Sequence, residues 1–203
     1  MKIICIGRNY VNHAKELNNP VPSKPVFFLK PETALLRKNL PFFYPEFTND
    51  LHHEVEIVVR ISKIGKHIQE KFAHKHYEEI GLGIDFTARD LQSEQKKKGL
   101  PWEISKAFDA SAPIGDFIPK TQLGELNQLK ISLKKNNEIV QAGNSADMIF
   151  SIDKIIAYVS QFVSLKIGDL IFTGTPEGVG PVQIGDRLTG YLNDQEMFSF
   201  EVK

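Results

Sequence analysis

Short runs in which apolar and polar residues alternate dominate this chain, and a period of two is that of an extended strand with different surroundings on its two faces. Residues 51–62, LHHEVEIVVRIS, show it most clearly. Val55, Ile57, Val59 and Ile61 share one face, while His52, Glu54, Glu56, Val58 and Arg60 share the other. Further β-rich runs occupy 2–7, 26–30 and 80–87, then 129–135 and 138–143 around a hairpin-like Asn136-Asn137 pair, and finally 169–175, 187–193 and 197–203.

Helical spacing is rarer. SIDKIIAYVSQFVSL, 151–165, repeats apolar residues at helical intervals after Ser151. A second helix is predicted after Thr87, which can cap it with Asp90 three residues on, and it ends at lysines 96–98 before Gly99 and Pro101. A short third, YVNHAKELN at 10–18, precedes the loop NNPVPSKP. Many strands and few helices predict an α+β, mostly β architecture with antiparallel or mixed sheets, not a doubly wound one. The glycine-rich TGTPEGVGPVQIGD lacks the lysine and the following helix of a phosphate loop.

Composition narrows this little further. With 203 residues, 41% hydrophobic, the chain can bury a real core and is expected to form a single catalytic domain over 1–203. Lysine plus arginine equals aspartate plus glutamate at 25 each, so charge argues for neither nucleic acid nor a membrane surface as partner and leaves small neutral or anionic ligands. One cysteine excludes an internal disulfide framework. The N-terminal apolar run is too short for a signal sequence, and no segment approaches the ~20 apolar residues of a membrane helix. A soluble, cytoplasmic protein is expected.

Glu54 and Glu56 point the same way, and at about 6–7 Å apart on a strand face two bare charges repel by roughly 2–3 kcal/mol at an effective dielectric near 20. Water on an exposed strand removes that cost, so two solvated carboxylates are the plain reading of the pair alone. Asp85 shifts the weighing. It ends the apolar strand IGLGID just before a helix start, a common binding position. Three converging oxygen ligands suit Mg2+ or Mn2+, whereas zinc lacks its cysteine or histidine cluster. His52, on the same face, leaves a histidine-plus-carboxylate iron site open as a competitor, and His53 on the other is expected to be structural.

His13 and Glu16 are neighbours three apart if their segment is helical. A carboxylate beside an imidazole orients it as a general base, although such pairs on surface helices are commonly incidental. Lys106, between apolar neighbours, reads equally as a cation aimed at a ligand carboxylate or as an ordinary snorkelling lysine. Arg89 and Gln92 sit on the first turns of the helix after Asp85, within reach of the same site. Lys96 to Lys98 read as a solvated helix end that complements the dipole.

GRNYVNHAKEL, KPVFFLKP, HHEVEI, IDFTARDLQ, KKKGLPW, SKAFDAS, MIFSI and TGTPEGVG, in this order, resemble the fumarylacetoacetate hydrolase family. The likeness is closest to its short acylpyruvate hydrolase and oxaloacetate decarboxylase members. It implies a mixed β-sandwich roll, a homodimer, and Mg2+ or Mn2+ held by Glu54, Glu56 and Asp85. It also implies a His13–Glu16 dyad on a lid segment around 12–24, a site lined by Arg89, Gln92 and Lys106, and Thr175 near a 2-oxo acid substrate. The implied activity is metal-dependent carbon–carbon cleavage of acylpyruvates of fumarylpyruvate or acetylpyruvate type, releasing pyruvate. Decarboxylation of oxaloacetate accompanies it; tautomerisation of a 2-oxo acid, or a metal-stabilised protein without catalysis, are the alternatives. The missing N-terminal domain of the two-domain members argues against fumarylacetoacetate itself.

Overall fold

The segment that carries both glutamates lies at the centre of the molecule. The computed structural model describes residues 1–16 and 20–203. Its strands begin with β1 Ile3–Gly7, β2 Val26–Lys30, β3 Leu35–Leu36, β4 Leu51–His53, β5 Val55–Ile61, β6 Tyr77–Ile84, β7 Thr87–Ala88 and β8 Ala112–Pro119. They continue with β9 Lys130–Lys135, β10 Glu138–Asn144, β11 Leu170–Phe172, β12 Gly180–Pro181, β13 Arg187–Leu192 and β14 Gln195–Glu201. The α-helices are α1 Val11–Glu16, α2 Glu70–Ala73, α3 Arg89–Lys98, α4 Glu103–Lys106 and α5 Ile152–Val159. A seven-stranded sheet is ordered β2-β1-β11-β5-β6-β8-β3, a four-stranded one β10-β9-β13-β14, and a small one β12-β4-β7. Two pairs, β1 with β11 and β3 with β8, are parallel among otherwise antiparallel ladders. This is the mixed, mostly β arrangement that the alternation predicts.

Strand β5 is buried on both faces, because the large sheet has a core on each side. Val55, Ile57, Val59 and Ile61 join the main core, where the four-stranded sheet contributes Ile131, Leu133, Leu188, Leu192, Phe198 and Phe200. Val58 joins a smaller cluster on the opposite face with Ile3, Cys5, Ala112, Leu170 and Phe172. Glu56 lies on that second face, so the solvated reading of the glutamates fails.

The partner strand explains how the second face makes room. In β6, Ile80, Leu82 and Ile84 point into the main core, while Gly81 and Gly83 oppose Val58 and Glu56. A Cβ on Gly83 would lie 2.8 Å from both the Phe172 ring and the Pro113 carbonyl oxygen. Gly83→Ala is therefore expected to cost about 1–3 kcal/mol by overpacking. Urea titration checks it; a midpoint matching the wild type would show that the sheet yields freely.

Several elements differ from their sequence patterns for identifiable reasons. The predicted helix 151–165 starts as expected, with the Ser151 side chain accepting from the Lys154 N–H, but stops at Val159. There the Ser160 carbonyl and hydroxyl are taken by the backbone N–H groups of His67 and Ile68. Thr87 does not cap α3. It pairs with His52 in β7, its hydroxyl donates to the Asp85 carbonyl, and Asp90 instead anchors Thr48 and Asn49. Gly99 closes α3 in the left-handed conformation, as expected. Asn136 and Asn137, with φ of 52° and 73°, make the predicted hairpin turn between β9 and β10. Strand β8 has no clear pattern, because Pro113, Gly115 and Pro119 interrupt it. The helix predicted at 10–18 is α1, and Leu17 to Asn19, part of the expected lid, lie outside the described residues. No helix among the described residues is long and apolar enough to cross a membrane.

Candidate metal centre and active site

Strand geometry brings the three carboxylates together. Glu54 sits between β4 and β5, Glu56 is the second residue of β5, and Asp85 follows the last residue of β6, whose partner is Val55. The Asp85 N–H donates to the Glu54 carbonyl at 2.8 Å and ties the two backbones at this end of the ladder. One carboxylate oxygen from each residue lies within 4.8 Å of the other two. Their exposures are 5%, 2% and 2%, too low for water to screen the repulsion.

Buried cations hold this arrangement. Lys106, at the end of α4, places Nζ 2.7 Å from both Glu54 Oε2 and Asp85 Oδ2. Arg89 donates to Glu54 Oε1 at 2.5 Å and to Gln92 Oε1 at 2.7 Å. Lys30, on the neighbouring face of β2, donates to the Ser111 carbonyl and hydroxyl, and its Nζ lies 2.7 Å from Asp85 Oδ1 without hydrogen-bond geometry. Burial pushes the Glu54 carboxyl up, but Lys106 and Arg89 outweigh it and hold the group well below the usual range. Among the described residues, Glu56 has no cation in contact. Burial, then Asp85 and Glu54, push it well above the usual range, against Lys106 and one hydrogen bond of 2.7 Å from the Gly174 N–H. Burial alone would depress Lys106, yet Asp85 and Glu54 keep its ammonium charged.

The donor set fits a hard divalent cation. Three carboxylates of low exposure supply oxygen only, Asp85 Oδ1 has no directed hydrogen bond, and Glu56 is the group a further positive charge would relieve most. No histidine joins the group among the described residues: His52 turns to Asp50 at 2.9 Å, which removes the iron alternative. His53 is buried and bonded to Gln141 Oε1 at 2.9 Å, the structural role expected of it.

The opposite wall comes from α1 and the loop after β11. His13, 5% exposed, lines the same cavity as the triad, and its Nδ1 lies 3.2 Å from Glu16 Oε2. Glu16 Oε1 accepts from the Gly178 N–H at 3.0 Å, and Asn12 donates to Glu177 at 3.1 Å, so this loop fixes the pair. Thr175 also faces the cavity, its hydroxyl accepting from Gln141 at 2.9 Å. Gly174, at φ 100°, is where the loop turns to give Glu56 its N–H; a Cβ there would meet that of Asn9 at 2.6 Å.

His13, Glu54, Glu56, Asp85, Arg89, Gln92, Lys106 and Thr175 thus line one cavity, with Glu16 behind His13. Lys106 is 3% exposed, so the snorkelling reading fails. Sequence reasoning missed four of the polar and aromatic residues that line the cavity. Phe28 and Trp102 line the cavity too, their rings edge to face at 5.9 Å. So do Arg8 and Lys96, and Lys96 is not part of a solvated helix end. Burial, with Arg89 and Arg8 nearby, pushes its ammonium down to about 8. Its spacing of seven from Arg89 and four from Gln92 was the available signal. Lys30 was legible only as the last residue of its strand.

Fold and site together define a β-rich protein whose buried acidic triad and histidine–carboxylate pair face one another across a small polar cavity. The family model of the fumarylacetoacetate hydrolase C-terminal domain matches residues 2–203. The chain belongs to that family. It is 44% identical over 201 residues to a mitochondrial oxaloacetate tautomerase of Mus musculus, covering 99% of this chain and 91% of that one. It is 45% identical over 200 residues to a mitochondrial oxaloacetate decarboxylase of Dictyostelium discoideum, covering 96% and 92%. The crystal structure of fumarylpyruvate hydrolase from Pseudomonas aeruginosa in complex with Mn2+ and pyruvate superposes with a TM-score of 0.94 at 40% identity, covering 100% and 89%.

Proposed function

We propose that this chain is a divalent-metal-dependent enzyme of 2-oxo acids that interconverts the enol and keto forms of oxaloacetate, and that hydrolysis of acylpyruvates is its second activity. The carrying observation is the buried triad facing a histidine–carboxylate pair across one cavity. The resemblance puts hydrolysis first; the relatives named for oxaloacetate reverse that order. The dyad keeps hydrolysis in view, because only that reaction needs a base to activate water.

Glu54, Glu56 and Asp85 would hold Mg2+ or Mn2+, which supplies Lewis-acid polarisation of the 2-oxo group. Lys106 keeps its proton and stays a fixed positive charge beside the negative charge that develops on that oxygen. Arg89, braced by Gln92, presents a rigid guanidinium at the wall where a substrate carboxylate would lie. Glu16 accepts the Nδ1 proton of His13, which leaves Nε2 as the atom that takes a proton. In tautomerisation that proton leaves the carbon beside the carbonyl and is returned to oxygen. In hydrolysis it comes from water, whose oxygen bonds to the distal acyl carbon; the carbon–carbon bond then breaks, its electron pair leaves with the pyruvate enolate, and that carbon takes up the proton to give pyruvate.

The test follows enol absorbance, CO2 and pyruvate separately. Dialysis against chelator is expected to abolish all turnover, and Mg2+ or Mn2+ to restore it. Absence of turnover on oxaloacetate and acylpyruvates with either ion would sink the proposal. His13→Ala is expected to lower acylpyruvate hydrolysis by about 10²–10⁴, with a smaller effect on loss of CO2, which needs no attacking water. Equal hydrolysis in that variant would show that His13 is not the base that activates water. We also propose the homodimer that the resemblance implies, which light scattering checks.

A further inference from the structure

Beyond the triad, the cavity carries positive charge that the triad does not use. The three carboxylates are matched by Lys30, Lys106 and Arg89, each in ion-pair contact with one or two of them. A bound divalent ion adds two charges, which one substrate carboxylate and the charge developing on its 2-oxo oxygen cancel. Nothing in that balance involves Arg8 or Lys96, yet both line the cavity. Among the described residues, neither has a carboxylate oxygen within ion-pair distance.

Two features show that these cations are placed there. Arg8 is not glycine but has φ 60°, in the left-handed region, a backbone that costs of order 1–3 kcal/mol and persists where its surroundings demand it. Lys96 lies on the face of α3 that carries Arg89 and Gln92, while its neighbours Lys97 and Lys98 are exposed and Lys98 pairs with Glu94. The Lys96 ammonium is 5.7 Å from the centre of the Trp102 ring, another wall of the cavity. Helix, strand end and aromatic wall thus bring two cations to the lining of the cavity that also holds the triad.

We propose that Arg8 and Lys96 form a subsite for the second carboxylate of the substrate, so that the chain selects dicarboxylic 2-oxo acids over monocarboxylic ones. This rests on the proposed function, in which a metal held by the triad would polarise the 2-oxo group and Arg89 would meet the first carboxylate. Arg8 and Lys96 are specificity-determining residues in this scheme, and neither moves a proton.

Oxaloacetate and pyruvate differ by that one carboxylate, and Trp102, the only tryptophan of the chain, reports their binding by fluorescence in the presence of Mg2+. The wild type is expected to bind oxaloacetate at least about a hundredfold tighter than pyruvate. Lys96→Met and Arg8→Met should each shrink that ratio about 10- to 100-fold, the range of one charge-assisted hydrogen bond, and Lys96→Arg should keep it. A ratio unmoved in both methionine variants, or a loss shared equally by the two acids, overturns the subsite. Turnover of oxaloacetate with an unmoved ratio leaves the proposed reaction standing without the subsite. A ratio that moves as expected in an inactive protein leaves the subsite without the reaction. Binding of neither acid by the wild type removes both.

Discussion

Glu56→Gln is expected to abolish divalent-metal binding and to lower oxaloacetate turnover by about 10³ or more, while leaving the metal-free fold as stable as the wild type or more so. The loss of rate follows from losing polarisation worth several kcal/mol, since about 4 kcal/mol corresponds to a thousandfold. The gain in stability follows from the position of Glu56 in the triad. Glu54 and Asp85 each touch a buried cation, whereas Glu56 has the Gly174 N–H, which a glutamine oxygen can still accept. Burial and the two neighbouring carboxylates raise the Glu56 carboxyl well above its ordinary 4.5. A carboxyl that binds its proton more tightly when folded stabilises the fold below the ordinary value and withdraws that contribution as pH rises through the folded one. The metal-free wild type should therefore lose stability from about pH 4.5 upward relative to the glutamine variant. Calorimetric titration with Mn2+ and thermal melts in chelator measure the two halves. Wild-type Mn2+ affinity in the variant, or a metal-free melting point several degrees lower, would show that Glu56 is a structural carboxylate.

The residues behind that expectation differ in how far sequence alone reveals them. Alternation placed Glu54 and Glu56 on one side of a strand, and Asp85 at a strand end in an apolar run, because both facts are local. Whether that side meets water is not local. It depends on β11 and β6 flanking β5, on Gly81 and Gly83 clearing the face, and on Lys30 arriving from β2 through its pairing with β1. Lys96 shows the limit most sharply. Three consecutive lysines look alike by type; helical spacing from Arg89 and Gln92 singles out Lys96, but only the orientation of α3 shows that this face meets the cavity. The Thr87 cap failed for a related reason, since a two-residue ladder with β4 claimed the threonine before the helix began.

A second large effect is expected at Lys106. Lys106→Met removes the ammonium that contacts both Glu54 and Asp85, leaving two carboxylates of 5% and 2% exposure facing each other with only Arg89 and Lys30 on their outer sides. Breaking a buried ion pair from one side costs about 3–5 kcal/mol, because the charge left behind keeps its desolvation penalty without its partner. The methionine stem can occupy the space beside Phe28, whose ring centre is 5.5 Å from Nζ, so the cost is electrostatic and not a cavity. It should therefore be recoverable by any cation that returns to the same oxygens. A ligand that binds only the folded state stabilises by RT ln(1 + [L]/Kd), about 2.7 kcal/mol at a hundredfold excess over Kd. Added Mn2+ should accordingly restore much of the stability of Lys106→Met, and should do nothing for Gly83→Ala beyond its effect on the wild type. The comparison also separates two roles, because Mn2+ can replace the charge of Lys106 in holding the fold but not its place beside the reacting oxygen. Stability should return in guanidinium titrations while turnover stays low. A Lys106→Met protein that loses less than about 1 kcal/mol in chelator would mean that the lysine does not hold the triad together.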